Sequence, residues 1–233
     1  CGACVNQCPT GALRLQEEQV VYDPSVCVLC DACIKICPHS ASPRVRSMAP
    51  QEVMAEVSRN QPFIRGITVS GGECTRQRDF LVELLSLARQ AGLNTLLDSN
   101  GSYNFSADAE LMAVTDGVML DVKAWDPAEH KRVTGHDNAG VRANLLWLAQ
   151  AGKLEEVRTV VVPELFNAEQ TVQEVCRVIA PYISLRNTRY KIICYRPFGV
   201  RPEYRGFTPP SPELLAHLCQ LAQSCGVPNA VVV

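Results

Sequence analysis

The chain has 233 residues, and its hydrophobic content of 47% is too high for a disordered protein. Its 22 basic and 24 acidic residues nearly balance, which argues against non-specific binding to nucleic acid or to a membrane surface, since both need a positive field. No apolar run approaches the roughly 18 residues of a membrane span, and the first residues lack the charged start and apolar stretch of a signal peptide.

The most informative feature is the set of twelve cysteines, seven of which lie within the first 37 residues. Residues 27–38 read C-x2-C-x2-C-x3-C-P. Three cysteines at steps of three suit three corners of one cubane iron–sulfur cluster, and a fourth cysteine followed by proline reaches a second cluster. Zinc sites typically use isolated C-x2-C pairs and fit this run poorly. The cysteines scattered through later apolar segments are expected to be small buried hydrophobes.

An internal repeat supports the iron–sulfur interpretation. Residues 1–12 superimpose on residues 30–41 with their cysteines, prolines and two alanines in register, which is typical of a structural unit used twice. The segment resembles a bacterial two-cluster ferredoxin, and we predict such a domain over residues 1–45. By the crossed rule, one cluster takes Cys8, Cys27, Cys30 and Cys33, and the other takes Cys1, Cys4 and Cys37. Two clusters need eight thiolates and the chain begins at Cys1, so we expect an N-terminal segment to be missing.

The rest of the chain alternates β-branched runs with amphipathic segments. Strands are predicted at 64–70, 94–98, 117–123, 157–162 and 189–195. Helices are predicted at 78–91, 106–113, 139–151, 167–180 and 211–224. Asn167 is expected to cap its helix with Gln170 as capping-box partner. This α/β alternation predicts parallel strands with crossover helices, in an open doubly wound sheet or a barrel, and ligands bind at the carboxyl ends of the strands in both.

Polar residues follow the first two of these strands. Ser70-Gly71-Gly72-Glu73 is either a tight turn or a place where a ligand approaches the backbone. Asp98-Ser99-Asn100-Gly101 is either a capped loop or, with Asp121, a source of oxygen ligands for a small cation.

Charged residues lie within or beside the later strands. Met119, Asp121 and Lys123 alternate with apolar residues and share one strand face. The acid and the amine form either an internal salt bridge or a pair that grips a zwitterion. Arg158 and Arg196 are either surface charges or ligand contacts. The four histidines lack metal-ligand spacing and are expected to be solvated.

Taken together, these motifs resemble those of the glycyl-radical-enzyme activases of the radical S-adenosylmethionine superfamily, and the YjjW type most closely. The matching motifs are G-G-E at 71–73, D-S-N-G at 98–101, M-x-D-x-K at 119–123 and R-x-V-V-V-P at 158–163. The resemblance implies a partial (β/α)6 radical-SAM barrel with an inserted ferredoxin-like two-cluster segment. The barrel would occupy residues 46–233 and would lack its first strand and helix.

The resemblance also implies a reaction. One electron would cleave S-adenosylmethionine, and the resulting 5′-deoxyadenosyl radical would take a hydrogen atom from a glycine of a partner enzyme. Gly71 and Gly72 would contact the methionyl amine with Asp121, and Lys123 and Arg158 would hold the carboxylate. A monovalent cation would lie among Asp98, Ser99, Met119 and Asp121. The implied cofactor-binding residues are Ser70, Gly71, Gly72, Glu73, Asp98, Ser99, Asp121, Lys123, Arg158 and Arg196, the last at a position where a relative carries histidine.

The family's C-x3-C-x2-C motif, which holds a third, catalytic [4Fe-4S] cluster, does not occur in the 233 residues. We therefore expect that cluster upstream, no catalytic residue within this stretch, and no activity from the stretch alone. The expected partners are a glycyl radical enzyme and a flavodoxin or ferredoxin donor, in a reducing cytoplasm, with no nucleic acid and no membrane. The alternatives are an iron–sulfur electron-transfer protein with a non-catalytic barrel and a radical-SAM enzyme that acts on a small molecule.

Overall fold

The computed structural model describes residues 1–39, 41–197, 200 and 206–233. Its described residues form two compact units, the first within Cys1–Met48 and the second within Ala49–Pro197 and Gly206–Val233. We refer to them as the cysteine-rich unit and the sheet unit. The domain boundary that the sequence suggests, between residues 45 and 46, stays a prediction.

The cysteine-rich unit contains two short helices and one hairpin. In chain order its elements are α1 (Ala3–Asn6), β1 (Leu13–Gln16), β2 (Gln19–Tyr22) and α2 (Ala32–Ile36). The strands pair antiparallel, and the hairpin was not among the predicted elements. The two helices start at equivalent alanines of the sequence repeat, each after a residue in the left-handed region, Gly2 with φ 73° and Asp31 with φ 60°. The repeat in the sequence is therefore a repeat in the backbone.

The sheet unit has six parallel strands in sequential order. The strands are β3 (Gly66–Val69), β4 (Asn94–Ser99), β5 (Gly117–Asp121), β6 (Leu154–Val161), β7 (Arg189–Cys194) and β8 (Ala230–Val232). The helices are α3 (Pro50–Ser58), α4 (Arg78–Gln90), α5 (Ala109–Val114), α6 (Pro127–Thr134), α7 (Ala139–Gln150), α8 (Ala168–Ile179), α9 (Ile183–Arg186) and α10 (Pro212–Ser224). The α/β class with a parallel sheet is confirmed.

Several predicted details are wrong. The third predicted strand ends at Asp121, so Lys123 lies in the following loop. Asn167 accepts the Gln170 N–H at 3.0 Å as expected, but its own N–H donates to Glu129 at 3.0 Å, so the predicted capping box does not form. The strand β8 and the helices α3, α6 and α9 were missed, since a three-residue strand and helices of four to nine residues carry little periodicity.

Alternate residues of β5 lie on two different faces of the sheet. Val118 and Leu120 are fully buried, and Val122 is nearly so. Met119 and Asp121 point to the opposite face because side chains alternate along a strand. This division of faces agrees with the sequence pattern.

One histidine departs from the expectation that all four are solvated. His130 is buried with 4% exposure, and its Nδ1 lies 3.2 Å from the carbonyl oxygen of Ala124. Burial lowers its pKa, so this imidazole is part of the packed interior.

Every helix within the described ranges falls short of the length and hydropathy that a membrane span requires.

Candidate functional site

The loop after β3 presents open backbone. Ser70, Gly71 and Gly72 are exposed, and a Cβ added at either glycine would meet no atom within 4 Å. Packing within the protein therefore does not explain the two glycines, whereas the close approach of a ligand to the main chain would. Ligand contact at this loop stays a prediction.

Glu73 ties this loop to the end of β4. Its Oε1 accepts the Ser99 hydroxyl at 3.0 Å and the Thr75 hydroxyl at 2.7 Å, and its Oε2 accepts the Asn100 N–H at 2.7 Å. Both carboxylate oxygens are thus occupied by protein donors. The geometry gives Glu73 a positioning role, which spacing alone did not reveal.

Cys74, directly after Glu73, is a buried thiol that lies 3.3 Å from the carbonyl oxygen of Asp98. Burial, reinforced by the nearby Glu73, raises its pKa to about 11. The thiol therefore stays neutral at physiological pH and packs as a small core residue.

Arg158 links three neighbouring strands on the face of the sheet that carries Met119 and Asp121. Its Nη1 donates to Asp98 of β4 at 2.7 Å, and its Nη2 lies 3.0 Å from the Met119 sulfur of β5. Burial opposes the charge, but Glu156 and Asp98 outweigh this cost and raise the pKa of Arg158. With a side chain only 20% exposed, Arg158 is no ordinary surface charge.

Glu156 is a site residue that sequence reasoning missed. This carboxylate is 3% exposed and accepts Arg158 Nε at 2.6 Å, Lys191 Nζ at 3.0 Å and Arg189 Nη1 at 3.4 Å. The three cations compensate the charge of this buried carboxylate, and the carboxylate in turn holds the three cationic side chains in position. The predicted strand begins at Val157, three residues after the observed start at Leu154, so the sequence did not reveal that Glu156 and Arg158 share one face.

Asp121 and Lys123 form an ion pair at the end of β5, with Nζ 2.7 Å from Oδ2. Asp121 is also in register with Arg158 of β6. The internal salt bridge is therefore the arrangement that the structure shows. The Lys123 side chain is 33% exposed and the Asp121 side chain is 24% exposed, so both are accessible to a zwitterionic ligand.

Of the remaining predicted residues, the structure brings Asp98 and Ser99 into this network but not Arg196. Arg196 is exposed, two residues beyond the end of β7. Asp98 is paired with Arg158, and Ser99 donates to Glu73. In the part of the chain that the structure describes, no group of three His, Cys, Asp or Glu side chains is placed to hold one metal ion. The monovalent cation site stays a prediction.

The seven predicted cluster ligands line two pockets of the cysteine-rich unit. The first pocket is lined by Cys8, Cys27, Cys30 and Cys33 with Arg44 and Asp31 beside them. The second is lined by Cys1, Cys4 and Cys37. The division matches the crossed rule. A four-iron cluster takes thiolates around its periphery, so ligands that surround a cavity fit such a group. Ligation by these cysteines stays a prediction.

The environment of Cys27 favours the thiolate that a cluster requires. The backbone N–H of Leu29, the Tyr22 hydroxyl and the Arg44 guanidinium lower the pKa of Cys27. Burial opposes the thiolate of Cys8, but hydrogen bonds from the Thr10 backbone and side chain and from the backbone of Leu13 and Ala12 outweigh it and lower the pKa of Cys8. Metal ligands must be deprotonated, so both shifts assist cluster binding.

Comparison with protein families decides what kind of protein carries this site. A model of the radical SAM superfamily matches residues 26–175, and a model of the 4Fe-4S dicluster domain matches residues 1–41. The chain belongs to the radical SAM superfamily. The superfamily match includes the strands and loops that bear Gly71, Asp98, Asp121 and Arg158.

Curated relatives within the superfamily are activating enzymes. The pyruvate formate-lyase-activating enzyme of Streptococcus mutans is 37% identical over 64% of this chain and 61% of its own length. A Haemophilus influenzae protein assigned to the glycyl-radical enzyme activating enzymes is 32% identical over 76% of this chain and 75% of its own length. The indoleacetate decarboxylase activating enzyme of Tractidigestivibacter scatoligenes is 27% identical over 97% of this chain. This radical SAM chain therefore belongs among the glycyl-radical-enzyme activating enzymes, and it spans about three fifths of the Streptococcus relative.

A solved structure supports the fold. A crystallised domain of a pyruvate-formate lyase-activating enzyme from Bacteroides vulgatus superimposes with a TM-score of 0.60 and 20% identity, covering 72% of this chain and 98% of that domain. At this identity the likeness concerns the fold. The YjjW type stays a prediction.

Proposed function

We propose that this radical SAM protein activates a glycyl radical enzyme, with the strand ends of the sheet unit as its S-adenosylmethionine site. One electron, supplied through a catalytic [4Fe-4S] cluster when that cluster is bound, cleaves the sulfonium to methionine and a 5′-deoxyadenosyl radical, which removes a hydrogen atom from a glycine Cα of the partner. The other steps concern how this chain's residues bind and orient the two substrates.

The observation that carries the proposal is the array of paired charges beside an open glycine backbone. Asp121 pairs with Lys123, and Asp98 pairs with Arg158. A zwitterion that enters between them offers an ammonium to Asp121 and a carboxylate to Lys123 and Arg158. Asp121 and Lys123 then exchange each other for the ligand's ammonium and carboxylate, while Arg158 keeps its contacts with Asp98 and Glu156, so binding does not leave a buried charge unpaired.

The remaining residues support this exchange. The backbone carbonyl oxygens of Gly71 and Gly72 would accept hydrogen bonds from the methionyl ammonium, and Ser70 lies beside them. Glu73 would hold the loop against Ser99 and Asn100. Glu156 would keep Arg158 aligned through the contact at 2.6 Å. Arg196 and the cation site at Asp98, Ser99, Met119 and Asp121 complete the proposed set.

The cysteine-rich unit would carry electrons toward this site through two [4Fe-4S] clusters. A flavodoxin or ferredoxin is the proposed donor and the cytoplasm the proposed compartment, because solvent-accessible thiolate ligands such as Cys30 need a reducing environment. The cysteine triplet for the catalytic cluster is absent from these residues, so the test uses the full-length gene product.

The decisive test compares Lys123→Gln with Lys131→Gln, a matched loss of charge at an exposed position of α6. On anaerobically purified full-length protein we expect Lys123→Gln to weaken S-adenosylmethionine binding by tenfold or more, measured by calorimetry, and Lys131→Gln to leave it unchanged. Equal affinities in the two variants would contradict the proposed ligand site.

Product analysis separates the three candidate functions. Reductant-dependent release of 5′-deoxyadenosine together with a glycine-centred EPR signal on a co-expressed partner supports the activase. Release without that signal on any partner supports a small-molecule enzyme. A fully iron-loaded preparation that releases none is an electron-transfer protein, and about 8 irons per chain in place of about 12 would agree with that outcome.

A further inference from the structure

The two cysteine-lined pockets differ in charge. Among the described residues that line the pocket of Cys8, Cys27, Cys30 and Cys33, two are charged, Arg44 and Asp31. The pocket of Cys1, Cys4 and Cys37 is lined otherwise by alanine, valine, proline and serine, and none of its described lining residues is charged. We call these the charged pocket and the uncharged pocket. Clusters in the two would experience different electrostatic fields.

Arg44 is anchored so that its charge stays at the charged pocket. Its Nη2 donates to Asp31 Oδ1 at 2.7 Å, and its side chain is only 20% exposed. The guanidinium lines the pocket together with Cys27, Cys30 and Cys33. Solvent therefore screens this charge less than it screens a free surface arginine.

The position of Asp31 depends on the local backbone. Asp31 precedes α2 with φ 60°, in the left-handed region, and makes no capping bond to the helix. Its carboxylate is instead directed to Arg44. The residue at this position therefore restrains the arginine and partly neutralises it, and the two charges act on the pocket with opposite sign.

We propose that Arg44 and Asp31 set the reduction potential of the cluster bound in the charged pocket, with Arg44 raising it and Asp31 restraining that effect. The inference rests on the proposed binding of clusters by these cysteines. Adding an electron increases the negative charge of the cluster, so a nearby guanidinium stabilises the reduced form and a nearby carboxylate opposes it. Net charge and hydrogen bonds to the sulfurs are among the factors that tune such potentials. Of the two clusters, the one beside Arg44 is then the more readily reduced.

The test measures midpoint potentials on anaerobic full-length protein by EPR-monitored redox titration, without S-adenosylmethionine or partner. Arg44→Gln should lower one midpoint and leave the others in place. Asp31→Asn should raise the same midpoint, and asparagine tolerates the left-handed backbone. A change of up to about tenfold in the reduction equilibrium is expected, which corresponds to about 59 mV for one electron. The double variant should return toward the wild-type value.

Arg14→Gln, a matched loss of charge on the exposed strand β1, controls for the net charge of the unit. The proposal is overturned if the two substitutions move the midpoint in the same direction, if Arg44→Gln moves it no further than Arg14→Gln, or if all midpoints shift alike. Should Arg44→Gln fail to retain iron, the sign of the shift in Asp31→Asn decides. Protein without any [4Fe-4S] signal refutes the cluster sites themselves, whereas intact clusters with unmoved midpoints refute only this inference and leave the activase proposal standing.

Discussion

The two units of this protein differ in how much apolar surface each one buries in its own core. In the sheet unit, Leu97, Leu120 and Val157 have no exposed surface. In the described part of the cysteine-rich unit, only Ala12, Leu13 and Cys33 are buried apolar residues, while Val28 and Leu29 are more than 60% exposed. A chain of fewer than 50 residues with so small a core usually needs a metal or disulfides to fold. The difference indicates that bound clusters would supply folding free energy to one unit and not to the other.

Removing iron should have the largest effect on folding, and this effect should be confined to the cysteine-rich unit. When the reduced, cluster-loaded protein is treated with a chelator, we expect the hairpin Leu13–Gln16 and Gln19–Tyr22 to lose its amide protection, because cluster binding is coupled to folding there. Strands β4 and β5 should stay protected. Hydrogen exchange with mass spectrometry measures both regions in one sample. Retained protection in the hairpin after complete iron loss would contradict the comparison.

Truncating one leucine in each unit gives the next largest contrast. Leu120→Ala, at a fully buried position, should cost about 3 kcal/mol of the sheet unit's free energy of unfolding through lost burial and the cavity that remains. Leu15→Ala, at a side chain 56% exposed, should cost less than about 0.5 kcal/mol. Urea unfolding followed by circular dichroism tests both, and similar costs would show that the two cores do not differ as described.

Within the sheet unit, substitution of two glycines should have different consequences, one for the free energy of unfolding and the other for ligand binding. Gly101 has φ 78°, and a Cβ there would lie 2.9 Å from a Leu120 methyl carbon. Gly101→Ala should therefore cost about 1–3 kcal/mol. Gly72→Ala meets open space and should change the free energy of unfolding by less than about 0.5 kcal/mol, while it weakens S-adenosylmethionine binding. Calorimetry and urea unfolding on both variants check this. Destabilisation by Gly72→Ala would place that glycine in the packing instead.

The smallest predicted effect is a pH dependence within the sheet unit. Burial lowers the pKa of His130, while the unfolded chain keeps it near 6.5. The unfolded state therefore binds a proton first, so the sheet unit should lose stability as the pH falls below about 6.5 toward the folded pKa. Replacing His130 by glutamine should flatten this slope in urea titrations at several pH values. An unchanged slope in the variant would assign the dependence to other groups.

The sequence predictions succeeded for features set by nearby residues and failed for features set by the packing of distant segments. The grouping of the seven cysteines around two pockets could be predicted from spacing by the crossed rule, in which the last cysteine of each motif joins the set of the other motif. The strand at 94–99 and the helix at 78–90 follow from periodicity that ends at glycine. By contrast, the burial of His130 depends on the packing of α6, a helix whose eight residues gave no periodic signal.

The class of each segment and the chemistry that its conspicuous motifs predict can therefore be read from the order of residues. These properties reside in residues a few positions apart, where backbone geometry dictates which side chains are neighbours. Three arrangements are visible only in the folded molecule: the pairing of Arg158 with Asp98, the three cations around Glu156, and the pocket that Arg44 shares with Cys27. These partners come from separate strands or loops, and the register of parallel strands and the packing of the chain bring them together. Local sequence patterns contain no information about that register, so the electrostatic arrangement of both candidate sites required the folded molecule.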